Sequence, residues 1–285
     1  MKILVLGENG FLGSYFRKLM GISSVRIVPE SKIHQRIHDI KDFETLSKSF
    51  PETDVIVNCI ALTNINKCEL EPLNAEWTNA ILPGLISNYC VENDIKLIHI
   101  STDAVFDGSS PFATEETATN PLSVYGQTKL QGEKNVLRGN KSAIIVRTNF
   151  FGCSPKGDSF AEQILLAKDL KKSLIGYADI YFTPTHARNV ITASLKLAEN
   201  NHEGLFHIVG SERISKYDFA MRLSEKLGIA THFISKGLST SDMAYSIRSK
   251  DLSLSNTRLT ELGLNLYSLE EDLEFMVKEF IGREK

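Results

Sequence analysis

The sequence has little that would mark a disulfide-rich, metal-binding or nucleic-acid-binding protein. Its four cysteines, Cys59, Cys68, Cys90 and Cys153, lie far apart, with no CxxC pair and no histidine at zinc-finger spacing. None of the seven histidines pairs with acidic residues at ligand spacing. The formal net charge is -3, and basic residues are not pooled in one stretch. We therefore expect reduced, mostly structural thiols, no metal and no nucleic-acid partner.

Long hydrophobic runs are also missing. No stretch approaches the ~18 to 20 apolar residues that a membrane span needs. The N-terminal sequence "MKILVLGENGFLG" has too short an apolar run for a signal peptide, and it carries no small-residue cleavage site. No linker, repeat or low-complexity tract interrupts the 285 residues. These absences predict a globular protein of the cytoplasm with no membrane partner.

Apolar segments alternate with helical patterns through residues 1–150. Strands are predicted at residues 2–7, 25–28, 54–61, 96–102 and 142–148, and helices at 11–20, 42–50, 69–92 and 121–138. Strands that are apolar throughout are typical of a parallel sheet covered on both faces. The pattern predicts an α/β protein with a doubly wound parallel sheet, the Rossmann fold.

The second half of the chain has a less regular pattern. Its predicted helices lie within residues 158–170, 187–200, 215–228 and 268–280, and the apolar segment "GLFHIVG" at 204–210 suits a further strand of the parallel sheet. We assign residues 1–150 to one domain. Residues 187–210 are expected to extend the sheet of that domain. Residues 151–186 and 211–285 are assigned to a smaller, interleaved C-terminal α/β lobe.

A glycine-rich turn, "GENGFLG" at residues 7–13, follows the first predicted strand and opens the first helix. Gly7 would permit a tight turn and Gly10 would let the backbone approach a pyrophosphate, whose negative charge the helix N-terminus complements. The GxxGxxG spacing of Gly7, Gly10 and Gly13 in this context predicts that residues 1–150 bind a dinucleotide. The alternative is a turn that needs glycine only for close helix packing.

The end of the second predicted strand carries conflicting signals for the coenzyme. Glu30 would accept a hydrogen bond from a ribose hydroxyl, whereas Lys32 and Arg36 would hold a 2'-phosphate. Asp39 is a candidate for the adenine side of the cofactor, with a surface role as the alternative. The prediction is therefore NADPH or NADH, with no choice between them.

The segment "NPLSVYGQTKLQGEK" at 120–134 places Tyr125 and Lys129 one helical turn apart, on one face. An ammonium beside a phenol stabilises the phenolate and lowers the tyrosine pKa, which would let Tyr125 transfer a proton near neutral pH. The alternative is a surface pair on an amphipathic helix.

Polar residues follow two predicted strands at their carboxyl ends, where open α/β sheets bind ligands. Thr102 and Asp103 stand at the end of the fourth predicted strand, and Ala61, Thr63 and Asn64 follow the third. We expect both groups at the mouth of the ligand crevice. For Thr102 and Asp103 a simple strand-ending turn is the alternative.

In this order and spacing, GxxGxxG, "STD" and "YGQTK" resemble an extended short-chain dehydrogenase/reductase. The segments "DVIVNCIALTNINKCELEP", "HISTDAVFDG", "NPLSVYGQTKLQGEK" and "RTNFFG" more narrowly resemble the dTDP-4-dehydrorhamnose reductase family. The resemblance runs from residue 1 to about residue 280.

The resemblance implies roles for individual residues. Tyr125 would protonate a 4-keto oxygen while nicotinamide delivers hydride to the carbon, and Lys129 would hold the nicotinamide ribose and depress the tyrosine pKa. Thr102, the third implied catalytic residue, would hydrogen-bond the reacting oxygen, and Asp103 would contact the sugar. The implied cofactor contacts are Gly7, Asn9, Gly10, Phe11, Leu12, Gly13, Asp39, Ala61, Thr63, Tyr125 and Lys129.

Three departures from the family pattern concern the substrate. Ala104 stands where the family commonly has tyrosine, and Phe150 stands where it often has tryptophan. The family's "RPxxS" segment is replaced, which leaves Arg248 as the nearest candidate. The implied substrate contacts are therefore Thr102, Asp103, Phe150 and Arg248.

The resemblance implies NAD(P)H-dependent reduction of the 4-keto group of a nucleotide-linked 6-deoxy sugar. One alternative is an epimerase or dehydratase of the same superfamily, which would recycle bound NAD⁺. Another is a non-catalytic NADP-binding subunit, like the regulatory partner of methionine adenosyltransferase. The expected partner is the nucleotide sugar. The sequence does not fix the oligomeric state, and a homodimer is one alternative.

Overall fold

A computed structural model describes residues 1–19, 40–170, 173–239 and 249–283. Its strands are β1 (Ile3–Leu6), β2 (Val55–Asn58), β3 (Lys96–Ile100), β4 (Ile144–Arg147), β5 (Phe150–Phe151), β6 (Leu174–Tyr177), β7 (Tyr181–Phe182), β8 (Thr185–His186), β9 (Gly204–His207), β10 (Ile214–Ser215), β11 (Ile234–Gly237) and β12 (Asp251–Leu252). Its α-helices are α1 (Phe11–Leu19), α2 (Ile40–Ser47), α3 (Ile65–Leu70), α4 (Pro72–Glu76), α5 (Leu82–Glu92), α6 (Val124–Gly139), α7 (Phe160–Leu170), α8 (Ala187–Glu199), α9 (Lys216–Lys226), α10 (Thr257–Glu261) and α11 (Leu269–Arg283). The strand predicted at 25–28 lies outside the described residues.

The central sheet has five described strands in the order β1-β2-β3-β4-β9, all parallel. Successive side chains of each strand point to opposite faces. Ile3 and Val5 enter one core cluster, whereas Leu4 and Leu6 enter another. Because both faces are buried, the strands are mostly apolar on both sides, as in "ILVL" of β1.

Helices cover both faces of this sheet. Helices α1 and α8 supply Phe16 and Val190 to the first core cluster, and α5 and α6 supply Ile86 and Val136 to the second. This arrangement confirms the predicted doubly wound α/β fold. Strand β9 joins the sheet beside β4, with Val146 opposite Phe206. The proposed domain boundary at residue 150 stays a prediction.

The helix predicted over 69–92 is divided in the structure. Proline occupies the first turn of both α4 and α5, where its missing N–H costs no helical hydrogen bond. A π-helical segment, Trp77–Ile81, lies between those two helices. The prediction of one helix over 69–92 is therefore wrong at its start, because the backbone leaves the helical region at Glu71, directly before Pro72. From Pro72 onward the helical conformation continues through the π-helical segment into α5.

Short strands build the lobe beside the sheet. β5 pairs with β8, β6 pairs with β11, and β10, β7 and β12 form a three-stranded sheet. Phe219 of α9 packs edge-on against Phe151 and Phe182, with ring centroids 5.0 and 5.5 Å away. All three belong to the cluster that contains Val5 and Val146 of the central sheet. One apolar core thus continues from the sheet into the lobe.

Candidate active site

The glycine turn between β1 and α1 has no room for side chains at two of its positions. A Cβ on Gly13 would lie 2.1 Å from the carbonyl oxygen of Gly7. Gly7 itself has a φ of +87°, and a Cβ there would lie 3.0 Å from backbone atoms of Cys59 and Ile60. The close packing brings the N-terminus of α1 against the ends of β1 and β2. That surface fits the pyrophosphate of a dinucleotide, because it presents backbone N–H groups and the positive end of a helix.

The Gly13→Ala variant tests whether this cradle is as tight as the structure shows. We expect unfolding free energy to fall by roughly 1–3 kcal/mol, the usual cost of overpacking, and NADPH affinity to fall about tenfold or more. Urea unfolding and fluorescence titration with NADPH measure the two effects. Gly282→Ala is the matched control, because a Cβ there meets nothing within 4 Å. If the two variants had equal unfolding free energies and equal NADPH affinities, the space around Gly13 would be large enough for a Cβ.

The loop after β2 is fixed by a residue that the sequence did not single out. Asn79 is buried in the π-helical segment. Its side chain accepts a hydrogen bond from Leu62 N at 2.8 Å and donates to Leu62 O at 3.1 Å. Ala61 and Thr63, the predicted cofactor contacts, flank this anchored residue. An amide side chain within the largely apolar "WTNAILPGLI" was the available signal.

Helix α6 begins later than predicted, after a Ser123 cap whose Oγ accepts a hydrogen bond from Gly126 N at 3.1 Å. The Glu69 carboxylate accepts another from Val124 N at 2.9 Å. A Cβ on Gly126 would lie 2.3 Å from the carbonyl oxygen of Ala104. This contact presses the start of the helix, with Tyr125, onto the turn after β3 that carries Thr102.

The structure brings Tyr125 and Thr102 together. Burial raises the pKa of Tyr125 to about 12, and a hydrogen bond with the Thr102 side chain acts against this rise. The predicted lowering of the tyrosine pKa by Lys129 is therefore wrong for this structure, because desolvation dominates. A phenol with this pKa holds its proton at neutral pH and is suited to donate it.

Lys129 lies one turn further along α6 and is 2% exposed. Its ammonium donates a hydrogen bond to Ile100 O at 2.6 Å, at the end of β3. Burial lowers the pKa of Lys129 to about 8, while the Glu133 carboxylate opposes the shift. The surface-pair alternative fails on this burial, since a lysine of an exposed amphipathic face would keep its ammonium in water.

Asp103 is buried beside Thr102 and follows the end of β3. Its carboxylate accepts hydrogen bonds from Asn149 Nδ2 and, at 3.1 Å, from Thr102 Oγ1. Burial raises the pKa of Asp103, whereas the Asn149 bond and the Lys216 ammonium act against the shift. The carboxylate thus ties the predicted catalytic turn to the segment after β4.

A cavity of about 440 Å³ opens beside these groups. Its lining includes Ala104, Ser123 and Asn149. In the sequence these residues are direct neighbours of Asp103, Val124 and Phe150, respectively. Phe150 packs edge-on against Phe11, with ring centroids 4.9 Å apart. Asn9 is exposed and Leu12 buried in the glycine turn. Asp39 and Arg248 lie outside the described residues, as do Glu30, Lys32 and Arg36.

Two kinds of site are not found in the described part of the chain. No group of three or more His, Cys, Asp or Glu side chains there is placed to hold a metal. Among the same residues, no helix has the length and apolar character needed to cross a bilayer.

The fold and this site define an extended short-chain dehydrogenase/reductase. The chain belongs to the family described as RmlD substrate binding domain, which matches residues 1–281. A probable low-salt glycan biosynthesis reductase, Agl14 of Haloferax volcanii, is 31% identical over 293 residues that cover 96% of each chain. The dTDP-4-dehydrorhamnose reductase of Mycolicibacterium smegmatis is 31% identical over 80% of this chain and 69% of its own. A crystal structure of a dTDP-4-dehydrorhamnose reductase from Clostridium acetobutylicum has a TM-score of 0.88 at 27% identity, covering 98% and 99% of the two chains.

Proposed function

We propose that the protein reduces the 4-keto group of a nucleotide-linked 6-deoxy sugar with NADPH or NADH. The observation that carries this proposal is the half-buried phenol of Tyr125, which hydrogen-bonds the Thr102 side chain next to a cavity lined by Ala104, Ser123 and Asn149. One relative by sequence and one similar crystal structure are both named dTDP-4-dehydrorhamnose reductases, and these names support the same reaction. The protein is an NAD(P)-dependent oxidoreductase.

Different residues of the site would hold different parts of the cofactor. The turn from Gly7 to Gly13, with Asn9, Phe11 and Leu12, would hold the pyrophosphate, and Ala61 and Thr63 would line the same crevice. Lys129 would hold the ribose next to the nicotinamide. When bound, NADPH or NADH supplies the hydride that reaches the carbonyl carbon.

Proton transfer falls to Tyr125. Its phenol would give its proton to the ketone oxygen. The Thr102 hydroxyl, which donates to Asp103 in the structure, would then turn to donate to the phenolate that remains. Asp103, held by Asn149, would accept hydrogen bonds from sugar hydroxyls. Phe150 and Arg248 are carried forward as proposed substrate contacts, and Asp39 as a proposed contact of the adenine side.

The assay that tests this function follows NADPH and NADH oxidation with a panel of nucleotide-linked 4-keto sugars. We expect one reduced cofactor consumed for each sugar reduced. Sugar conversion without net cofactor consumption would identify an epimerase or dehydratase instead. Cofactor binding without any turnover would favour a regulatory subunit.

Lys129→Met is expected to weaken cofactor binding without weakening the fold. Burial already disfavours the ammonium, so its removal should leave the unfolding free energy within about 1 kcal/mol of wild type. The dissociation constant for NADPH should rise about tenfold or more, and turnover should fall with it. Thermal unfolding and NADPH titration measure the two quantities. A loss of stability alone would assign Lys129 a structural role.

The nucleotide sugar is the proposed partner. The proposed setting is the cytoplasm, with no membrane or nucleic-acid partner and with a homodimer as one candidate assembly. Gel filtration with light scattering distinguishes a dimer of the 31.8 kDa chain from a monomer.

A further inference from the structure

The cavity beside the candidate active site is lined from two sides. On the side of the central sheet, the lining includes Ile65, Ala104, Leu122, Ser123 and Asn149. On the side of the lobe, it includes Phe160, Gln163, Leu174, Ile175, Tyr177 and Ile180. The polar groups of Ser123 and Asn149 adjoin the proposed reacting groups, and the lobe side offers mostly aliphatic and aromatic surface. Such a cavity suits a ligand with one polar end and one flat, weakly polar end, as a nucleotide sugar has.

Among the described residues that line this cavity, Lys216 is the only one with a charged side chain. Its ammonium interacts with aromatic rings on the lobe side and with a carboxylate on the side of the central sheet. Its ammonium lies 3.3 Å from the ring centroid of Phe182 and 5.4 Å from that of Phe160. On the other side, its charge acts on the buried carboxylate of Asp103. The cation is therefore placed where the polar and apolar parts of the lining meet.

The position of Lys216 in its helix is unfavourable for a lysine. It is the first residue of α9, directly after the Ser215 cap, whose Oγ accepts a hydrogen bond from Asp218 N at 3.0 Å. The positive end of a helix dipole repels a cation there, whereas it attracts an anion. A bound anion would reverse the sign of this interaction, because it would meet the ammonium and the helix N-terminus together.

We propose that Lys216 binds the diphosphate of the nucleotide sugar and so separates the sugar end of the cavity from the nucleoside end. This inference rests on the proposed function and assigns the diphosphate of the substrate to Lys216. A diphosphate carries about two negative charges near neutral pH, and an ammonium that hydrogen-bonds it contributes as a charged donor. The nucleoside would then lie against Leu174, Ile175 and Tyr177.

The test compares dTDP with thymidine as ligands of the wild type and of Lys216→Met, by calorimetry in the presence of saturating NADP⁺. We expect the dissociation constant for dTDP to rise roughly 10- to 100-fold in the variant. The dissociation constant for thymidine should change less than about threefold, because thymidine has no phosphate. Lys216→Arg should retain most of the dTDP affinity.

Lys236→Met is the matched control. Its ammonium also lies over an aromatic ring, 5.5 Å from the centroid of Tyr217, but the side chain is exposed and does not line the cavity. It should bind dTDP as the wild type does. Lys216→Met should also raise KM for the nucleotide sugar more than it lowers kcat, as expected when uniform binding is lost.

Two results would overturn the assignment and leave the proposed function standing. One is equal dTDP affinity and equal turnover in Lys216→Met and wild type. The other is a fall in kcat with dTDP affinity unchanged, which would make Lys216 a partner of Asp103 alone. If the wild type binds neither dTDP nor UDP yet binds NADP⁺, the substrate class itself is wrong, and the assignment of Lys216 fails with it.

Discussion

Tyr125→Phe is expected to lower kcat about 10²- to 10⁴-fold, the usual contribution of general acid catalysis, while NADPH affinity stays within about threefold of wild type. The variant removes one hydroxyl and keeps the ring. The proton that Tyr125 holds at neutral pH, because burial raises its pKa to about 12, is then lost from the site. Steady-state kinetics and NADPH titration on the same preparation measure both effects.

Tyr267→Phe is the control for this substitution. Tyr267 is 54% exposed, and its ring lies 4.1 Å from the guanidinium carbon of Arg188, a contact that phenylalanine keeps. Its turnover should equal that of the wild type. Turnover of Tyr125→Phe within about a factor of three of wild type would remove Tyr125 from the mechanism.

Arg147→Met is expected to cost about 3–5 kcal/mol of unfolding free energy, the largest effect on stability that we predict. Arg147 and Glu133 form a buried bidentate pair with N–O distances of 2.9 and 2.7 Å. Ser101 Oγ donates a further hydrogen bond to the same carboxylate at 2.5 Å. Removing the guanidinium leaves a buried carboxylate without its cation, and that uncompensated charge is the physical cause of the loss.

A double variant separates the cost of the orphaned charge from the worth of the pair. Glu133→Leu combined with Arg147→Met should cost less than Arg147→Met alone, since neither charge of the Glu133–Arg147 pair then stays buried without its partner. Arg222→Met is the exposed control, because Arg222 pairs with Glu212 at 2.6 Å with side chains 44% and 40% exposed. Its cost should stay below about 1 kcal/mol. Equal losses for Arg147→Met and Arg222→Met in urea unfolding would contradict this account.

The parallel sheet could be predicted because its strands carry a signal that needs no partner. In β1 and β4 every residue is buried, and apart from Arg147 at the end of β4 both strands are apolar runs. The glycine turn was predictable because its GxxGxxG spacing is local, and a Cβ on Gly13 would meet Gly7 and Glu8. The contacts that crowd Gly7 are made by Cys59 and Ile60, and these needed the folded chain. The short strands of the lobe were missed. Two-residue strands such as β7 and β12 have no periodicity of their own and form only by pairing with distant segments.

The candidate site shows where sequence patterns stop being sufficient. The spacing of Tyr125 and Lys129 correctly predicts one helical face. The direction of the tyrosine pKa could not be predicted, because it depends on how deeply the phenol is buried and on Asp103 across the turn. Asn79 and Lys216 were missed for the same reason. Each acts through residues far away in sequence, Leu62 and Asp103 respectively, so only the folded chain reveals the pairing.

The most direct test of the proposed reduction follows a label from cofactor to sugar. The protein is incubated with a dTDP-linked 4-keto-6-deoxy sugar and NADPH or NADH that carries deuterium on the transferable position of the nicotinamide. The account predicts one deuterium at C4 of the sugar per cofactor oxidised, and labelled product that forms about 10²- to 10⁴-fold more slowly with Tyr125→Phe. Product that lacks the label, or that forms without oxidation of the added cofactor, would contradict it.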